Sequence, residues 1–259
     1  MRMLVVENLS KQFGGLRAVD GCSFAVRSGT ITGLIGPNGA GKTTVFNLLT
    51  GFFRPNAGKV LLQDEEITGL APYRVFQKGI ARTFQIPREF KEMTVMENLM
   101  LAPLGQLGER LWDPFFCPWR VRRQENSIGK RASEVLEFLG LQALCDELAG
   151  NLSGGQKKLL ELAKTMMIRP KLVMLDEPGA GVNRTLLKRL AHSIERLQQE
   201  EGTTFLLIEH DMDFVMRLCN PVIVMSEGKK LAEGEPAEVQ RNTRVLEAYL
   251  GGQYVAVDS

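Results

Sequence analysis

The sequence predicts an α/β fold with a largely parallel sheet, a phosphate-binding loop and an inserted helical subdomain. Three observations carry this expectation. Within GLIGPNGAGKTT, residues Gly36 to Thr43 fit the spacing G-x-x-x-x-G-K-[ST] without a gap. Apolar runs of strand length alternate with helical patterns, as β-α-β units require. A middle stretch, 86–167, carries almost no strand signal but several helical ones.

Taken in order, MLVVENL and CSFAV are strand-like, and TITGLI leads into the glycine-rich loop. Glycines there let the backbone curl until successive N–H groups point at phosphate oxygens. The helix beginning near Lys42 adds its free donors and its dipole. This geometry sets Lys42 on the β- and γ-phosphates and the Thr43 hydroxyl on Mg2+. KVLLQ follows the first helix. In the middle stretch TVMENLML is helical. Ile128, Ala132, Val135 and Leu139 step along a second helix, and Leu159, Leu160, Ala163 and Met167 mark a third. The strands then resume as KLVML, TTFLLI and PVIVM. Between the first two of these, Leu186, Leu187, Leu190, Ile194 and Leu197 repeat at helical spacing, so the sheet is expected to be parallel and covered. The division is expected to be 1–85 and 168–259 for the α/β core and 86–167 for the helical insertion.

At 259 residues and 44% hydrophobic content, the chain can bury one large core, or one core with a smaller appended subdomain. No apolar run approaches the roughly 18 residues of a membrane helix, and the N-terminus lacks the pattern of a secretory leader. The expectation is a cytosolic chain unless a partner holds it at a membrane. With 32 basic and 30 acidic residues interspersed, net charge +2, there is no electrostatic footprint for nucleic acid. The four cysteines form no C-x-x-C pair, which argues against a zinc site or a disulfide framework and for a reducing compartment.

Two further motifs carry chemistry. In LVMLDEP an apolar strand ends in Asp176, at the carboxyl edge of a parallel sheet where open α/β folds bind ligands. Asp176 can hold Mg2+ through its water shell, and Glu177 beside it can polarise a water for attack on a γ-phosphate. In NLSGGQKK, Ser153 is a good N-cap, and Gly154 and Gly155 leave backbone donors uncovered, a second anion site at a helix N-terminus.

GPNGAGKTT, LSGGQ, LVMLDEP and IEHD, in this order and with the glutamine that ends ARTFQ, resemble the ATPase subunits of ABC transporters over essentially the whole chain. The resemblance implies a P-loop ABC ATPase fold: α/β, with a mostly parallel sheet core, an antiparallel β part near the N-terminus and an inserted helical subdomain. It implies that ATP and Mg2+ bind at Gly36, Pro37, Asn38, Gly39, Ala40, Gly41, Lys42, Thr43 and Thr44. Thr43, Gln85 and Asp176 are the implied metal-side residues. Glu177 corresponds to the general base, His210 to the switch histidine that contacts the γ-phosphate, and Gln85 to the glutamine that touches Mg2+ and senses the membrane subunit. Phe13 falls where the family places an aromatic that stacks on adenine; a core phenylalanine is the competing assignment. Ser153, Gly154, Gly155 and Gln156 correspond to the signature that closes over the nucleotide of a second subunit, so that two ATPs are sandwiched head to tail. His192 belongs to no motif.

QFGGLRAVD, GPNGAGKTTVFNLLTGFFRP, TVMENL, LIEHDM and AYLG look most like the ATPase subunits of branched-chain amino acid importers, with urea importers as close relatives. The implied partners are a second ABC ATPase subunit, either a paralogue or an identical copy, integral membrane transporter subunits and, indirectly, a solute-binding protein. No nucleic acid is implied. The implied place is peripheral, on the cytoplasmic face of the inner membrane. A soluble ABC ATPase of DNA repair or translation is the alternative, but its usual long coiled coil, tandem cassettes or basic patch are not visible. One departure is GAGVN, which puts Asn183 where many members have an aspartate, so the loop can hydrogen-bond but carries no charge. The aromatic segment Glu109 to Arg123 admits two assignments, a patch that meets the membrane subunit or lipid headgroups, or a satellite cluster packed inward.

Overall fold

The computed structural model describes residues 1–83, 88–106 and 118–254. They divide into two compact units, one comprising 1–82, 171–180 and 194–254, the other the described residues within 83–170 together with 181–193.

The first unit holds two sheets. β1 (Arg2–Phe13), β2 (Leu16–Arg27), β4 (Ala57–Leu62) and β5 (Glu65–Glu66) form an antiparallel sheet in the order β2-β1-β4-β5. β1 and β2 bury part of each face and are offset by several register shifts, so they bend around the layer beneath. The second sheet runs β10-β9-β3-β8-β7-β6, with β3 (Ile31–Ile35), β6 (Ile80–Arg82), β7 (Leu172–Asp176), β8 (Thr204–Ile208), β9 (Val222–Ser226) and β10 (Lys229–Gly234). All its pairings are parallel except β9 with the edge strand β10. Every residue of β3, β7 and β8 is buried, which is why these strands read as unbroken apolar runs rather than as alternation.

Helix α1 (Lys42–Leu49) places Val45, Phe46 and Leu49 in one core with Leu4, Val6 and Leu62 of the first sheet and Met174, Leu206 and Ile223 of the second. Phe46 is fully buried there, and its truncation to alanine is expected to cost about 3–5 kcal/mol. Around this core lie α2 (Pro72–Gln77), and beyond the helical segment α7 (Met212–Leu218), α8 (Pro236–Arg241) and α9 (Thr243–Tyr254).

The second unit is helical: α3 (Val95–Met100), α4 (Pro118–Leu139), α5 (Gly154–Ile168) and the first part of α6 (Arg184–Glu201). Thr94 and Glu97 cap α3 reciprocally, and the buried Asn98 amide donates to the carbonyls of Phe90 and Thr94 while accepting from the Phe90 N–H. Val135, Leu136 and Leu139 of α4 and Leu159, Leu160 and Ala163 of α5 are buried, the faces expected from their spacing.

Several details differ from the sequence expectation. β6 is not among the predicted strands, since three residues are too short to show a period. β10 is not among the predicted strands either, since KKLAEG is a half-exposed, charged edge. Residues 181–193, assigned by their spacing to the α/β part, group with the helical unit. The segment 107–117, and with it most of the aromatic stretch, lies outside the described residues, as does 84–87 with Gln85. Trp119, Arg122 and Arg123 are described, on α4, and Trp119 is exposed.

Candidate functional site

The loop between β3 and α1 adopts positive φ at Gly36 (150°), Gly39 (79°) and Gly41 (94°). Glycine is required for space as well as for φ. A Cβ on Gly36 would lie 2.1 Å from the Met225 carbonyl oxygen, and one on Gly41 would lie 2.4 Å from that of Ala18. The turn after β9 completes the clamp, since Gly228 N–H donates to Ala40 O at 3.1 Å and Gly228 O accepts from Asp20 N–H at 2.9 Å. The loop is thus pinned between the two sheets.

Lys42, the first residue of α1, is buried and folds back over its own loop, donating to the carbonyls of Gly36 at 2.7 Å and Pro37 at 3.0 Å. Burial lowers its pKa, against the opposing pull of the Glu177 and Asp176 carboxylates. Its charge therefore waits beside the loop, held by two carbonyls that an anion can replace. At the other end of the chain, burial pushes the phenol pKa of Tyr249 on α9 up, with the backbone of Gly36 pulling the other way.

β7 ends in the acids. Asp176 is buried, and its Oδ2 accepts from Arg82 Nη2 at 2.6 Å. Glu177 follows at φ 49°, a left-handed conformation unusual for a side chain with a Cβ, while its N–H still donates to Ile208 O at 2.9 Å. That turn of the backbone aims the carboxylate across the end of β8, where Glu177 Oε1 meets His210 Nε2 at 2.9 Å. The sequence did not single out Glu209, yet its buried carboxylate accepts from the backbone N–H groups of Gly179 and His210 and so holds both arms of this pair.

These residues open onto one cavity of about 570 Å³. Its walls include Asn38 to Thr44 of the loop, Glu177, His210, Leu16, Ala18 and Glu227. Asp176 is not on the cavity wall. Phe13 does not line the cavity. It closes the β1–β2 hairpin opposite Leu16, its ring sits edge-on to Phe53 at 5.1 Å, and Lys11 Nζ stands 5.1 Å over it. Leu16, Arg17 and Ala18 occupy the wall on that side.

In the second unit Ser153 caps α5. Its Oγ accepts from Gln156 N–H at 3.4 Å and Gln156 Oε1 accepts from Ser153 N–H at 2.8 Å. The two glycines of this motif differ. A Cβ on Gly154 would meet nothing within 4 Å, whereas one on Gly155 would lie 2.5 Å from Leu186 Cδ1. Gly154 therefore leaves an open face, and Gly155 lets α5 pack on α6. Asn183 Oδ1 accepts from Leu186 N–H at 2.9 Å, so the residue that departs from the common aspartate caps α6 without charge.

A lysine folded into a glycine loop after one parallel strand, with acids at the end of the next strand but one, is the build of a P-loop nucleotidase. The family described as ABC transporter matches residues 19–180, and the chain belongs to it. The family described as branched-chain amino acid ATP-binding cassette transporter matches residues 229–255. Over 249 residues the chain is 43% identical to the high-affinity branched-chain amino acid transport ATP-binding protein BraF of Pseudomonas aeruginosa and 42% identical to LivG, of the same description, of Escherichia coli K12. Both alignments cover 96% of this chain and 98% of the relative. The crystal structure of the ADP conformation of an ATP-binding cassette of an ABC transporter superposes with a TM-score of 0.82 at 38% identity, over 97% of this chain and 99% of that one. The chain is an ATP-binding cassette ATPase.

Proposed function

We propose that this chain is the ATP-hydrolysing subunit of a branched-chain amino acid importer, peripheral on the cytoplasmic face of the inner membrane. The observation that carries the solute is the match, along nearly the whole of both chains, to ATP-binding proteins of branched-chain amino acid transport. Among the described residues no helix is long and apolar enough to cross a membrane. In this proposal integral membrane subunits conduct the solute, and a solute-binding protein delivers it to them.

In the site, the loop N–H groups of Asn38 to Thr44 and the Lys42 ammonium receive the β- and γ-phosphates of ATP. Lys42 exchanges its two carbonyl partners for phosphate oxygens. Glu177 accepts a proton from the attacking water, and His210, already in contact with that carboxylate, holds it in line and faces the γ-phosphate. Gln85 serves as the link to the membrane subunit. Ser153, Gly154, Gly155 and Gln156 close on the nucleotide of a second ATPase subunit, a paralogue or an identical copy, and the open face at Gly154 supports that assignment. The residues present fit Mg2+. Thr43 offers a hydroxyl in the first turn of α1 and the buried carboxylate of Asp176 ends β7, a sparse oxygen set that suits Mg2+, the ion that takes few protein ligands and completes its shell with substrate phosphates and water. When bound, Mg2+ neutralises charge developing on the phosphates, with Thr43, Asp176 and Gln85 on its protein side.

Reconstitution with cognate membrane subunits and solute-binding protein in proteoliposomes tests the proposal. Leucine, isoleucine or valine should stimulate ATP hydrolysis and accumulate inside. Stimulation by urea alone would assign the chain to a different importer.

A further inference from the structure

Arg82 is the last residue of β6, paired with Met174 of β7, and no motif includes it in a role. Its guanidinium bridges two elements. Nη2 donates to Asp176 Oδ2 at 2.6 Å, at the end of β7. Nη1 donates to Asn47 Oδ1 at 2.6 Å and lies 3.4 Å from Thr50 Oγ1, both on the α1 side. The group sits 5.6 Å from the Phe46 ring centroid and 6.0 Å from that of Phe52, aromatic neighbours that hold a cation in place. Both partners of the ion pair are nearly buried, with side chains 9% and 7% exposed.

Asn47 lies one turn beyond Thr43 on the same helix face. Arg82 therefore ties together the two elements that supply the metal-side residues, Thr43 on α1 and Asp176 on β7. It takes only Oδ2 of Asp176, which leaves Oδ1 for a metal's water shell. We propose that Arg82 is a positioning residue for Mg2+: a planar fork that fixes the Asp176 carboxylate relative to the first turn of α1. This rests on the Mg2+ assignment above. The chemistry favours arginine for the task, because a lysine is a single point and cannot hold two acceptors on separate elements at fixed angles. Mg2+ in turn demands near-ideal octahedral geometry, so a small drift between α1 and β7 is costly for it. A purely structural ion pair would affect folding stability without affecting the metal.

The two roles separate in a measurement of nucleotide affinity with Mg2+ and with EDTA, in the Glu177→Gln background so that ATP persists. The wild-type arginine should show a large gain in ATP affinity on adding Mg2+. Arg82→Met should keep the EDTA affinity while the Mg2+-dependent gain falls by about 10–100-fold, the range for groups that orient metal ligands. Arg82→Lys should recover part of the gain. Asn47→Ala, which keeps the Arg82–Asp176 pair but removes the short hydrogen bond to α1, should lose part of it, and this milder variant decides the question if Arg82→Met does not fold. A full Mg2+ gain in Arg82→Met, or in Asn47→Ala where that variant decides, overturns the brace alone. Absence of any Mg2+ gain with Arg82 intact overturns the metal assignment and the brace with it.

Discussion

Glu177 and His210, 33 positions apart in the chain, meet at 2.9 Å between carboxylate and imidazole at the ends of adjacent parallel strands. Neither side chain could reach the other from within its own motif. The left-handed backbone at Glu177 and the Glu209 carboxylate beneath both loops bring them together.

Glu177→Gln should therefore lower ATP turnover by roughly 100-fold or more, in the range of positioned acid–base groups, while ATP affinity stays near wild type. His210→Ala should lower turnover as well, and the two losses should not add, because the residues act as a unit. Steady-state hydrolysis by the assembled transporter, with the double variant alongside, checks this. Additive losses would show that the contact does no catalytic work.

Lys42→Ala should instead weaken binding itself. Removing a charge-assisted donor from two phosphates costs about 1.5–3 kcal/mol, or roughly 10–100-fold in affinity. Equilibrium titration with a fluorescent ATP analogue distinguishes this from the Glu177 change.

The two signature glycines should fail in different ways. Gly155→Ala forces a methyl against Leu186 and is expected to destabilise the helical unit by about 1–3 kcal/mol, read as a lower unfolding midpoint. Gly154→Asp meets no neighbour in its own chain, so folding and single-chain ATP binding should survive. In the proposed composite site, ATP-dependent dimerisation should be lost, because the added carboxylate would face the γ-phosphate held by the second subunit. A Gly154→Asp chain that still dimerises on ATP would remove the signature from the composite site.

Alkaline pH should destabilise the fold through Cys22. Burial pushes its thiol pKa up to about 11, so between the ordinary thiol range near about 8.5 and that value the unfolded chain releases a proton that the folded chain keeps. The folded state then binds more protons, and stability must fall as pH rises through this window. Cys22→Ala should flatten that part of the urea-midpoint curve against pH. Below pH about 8, Cys22 in the folded protein should resist iodoacetamide, because the thiolate is the nucleophile.

Much of the fold was legible in the sequence because its decisive elements are local. An unbroken apolar strand with both faces buried looks the same in sequence as in space, and β3, β7, β8 and β9 were read for that reason. The spacing Gly36 to Thr43 also encodes its own geometry, since only glycine tolerates those φ values under the Met225 and Ala18 carbonyls. The Ser153–Gln156 capping box is equally local, three residues apart on one turn.

What the tertiary structure decided is everything that depends on which strand ends are neighbours. The order β3-β8-β7-β6 sets Arg82 beside Asp176 and lets its guanidinium span to Asn47, although 94 and 35 positions of chain separate these pairs. It turned Glu209 from a plain acid in IEHD into the support of the Glu177–His210 pair, and it directed Phe13 to Phe53 and away from the cavity wall. Periodicity reports which face of an element is buried, but a parallel sheet is wound by crossovers that bring distant strand ends together. Residue types at those ends were readable from the sequence; their partners were settled only by the strand order.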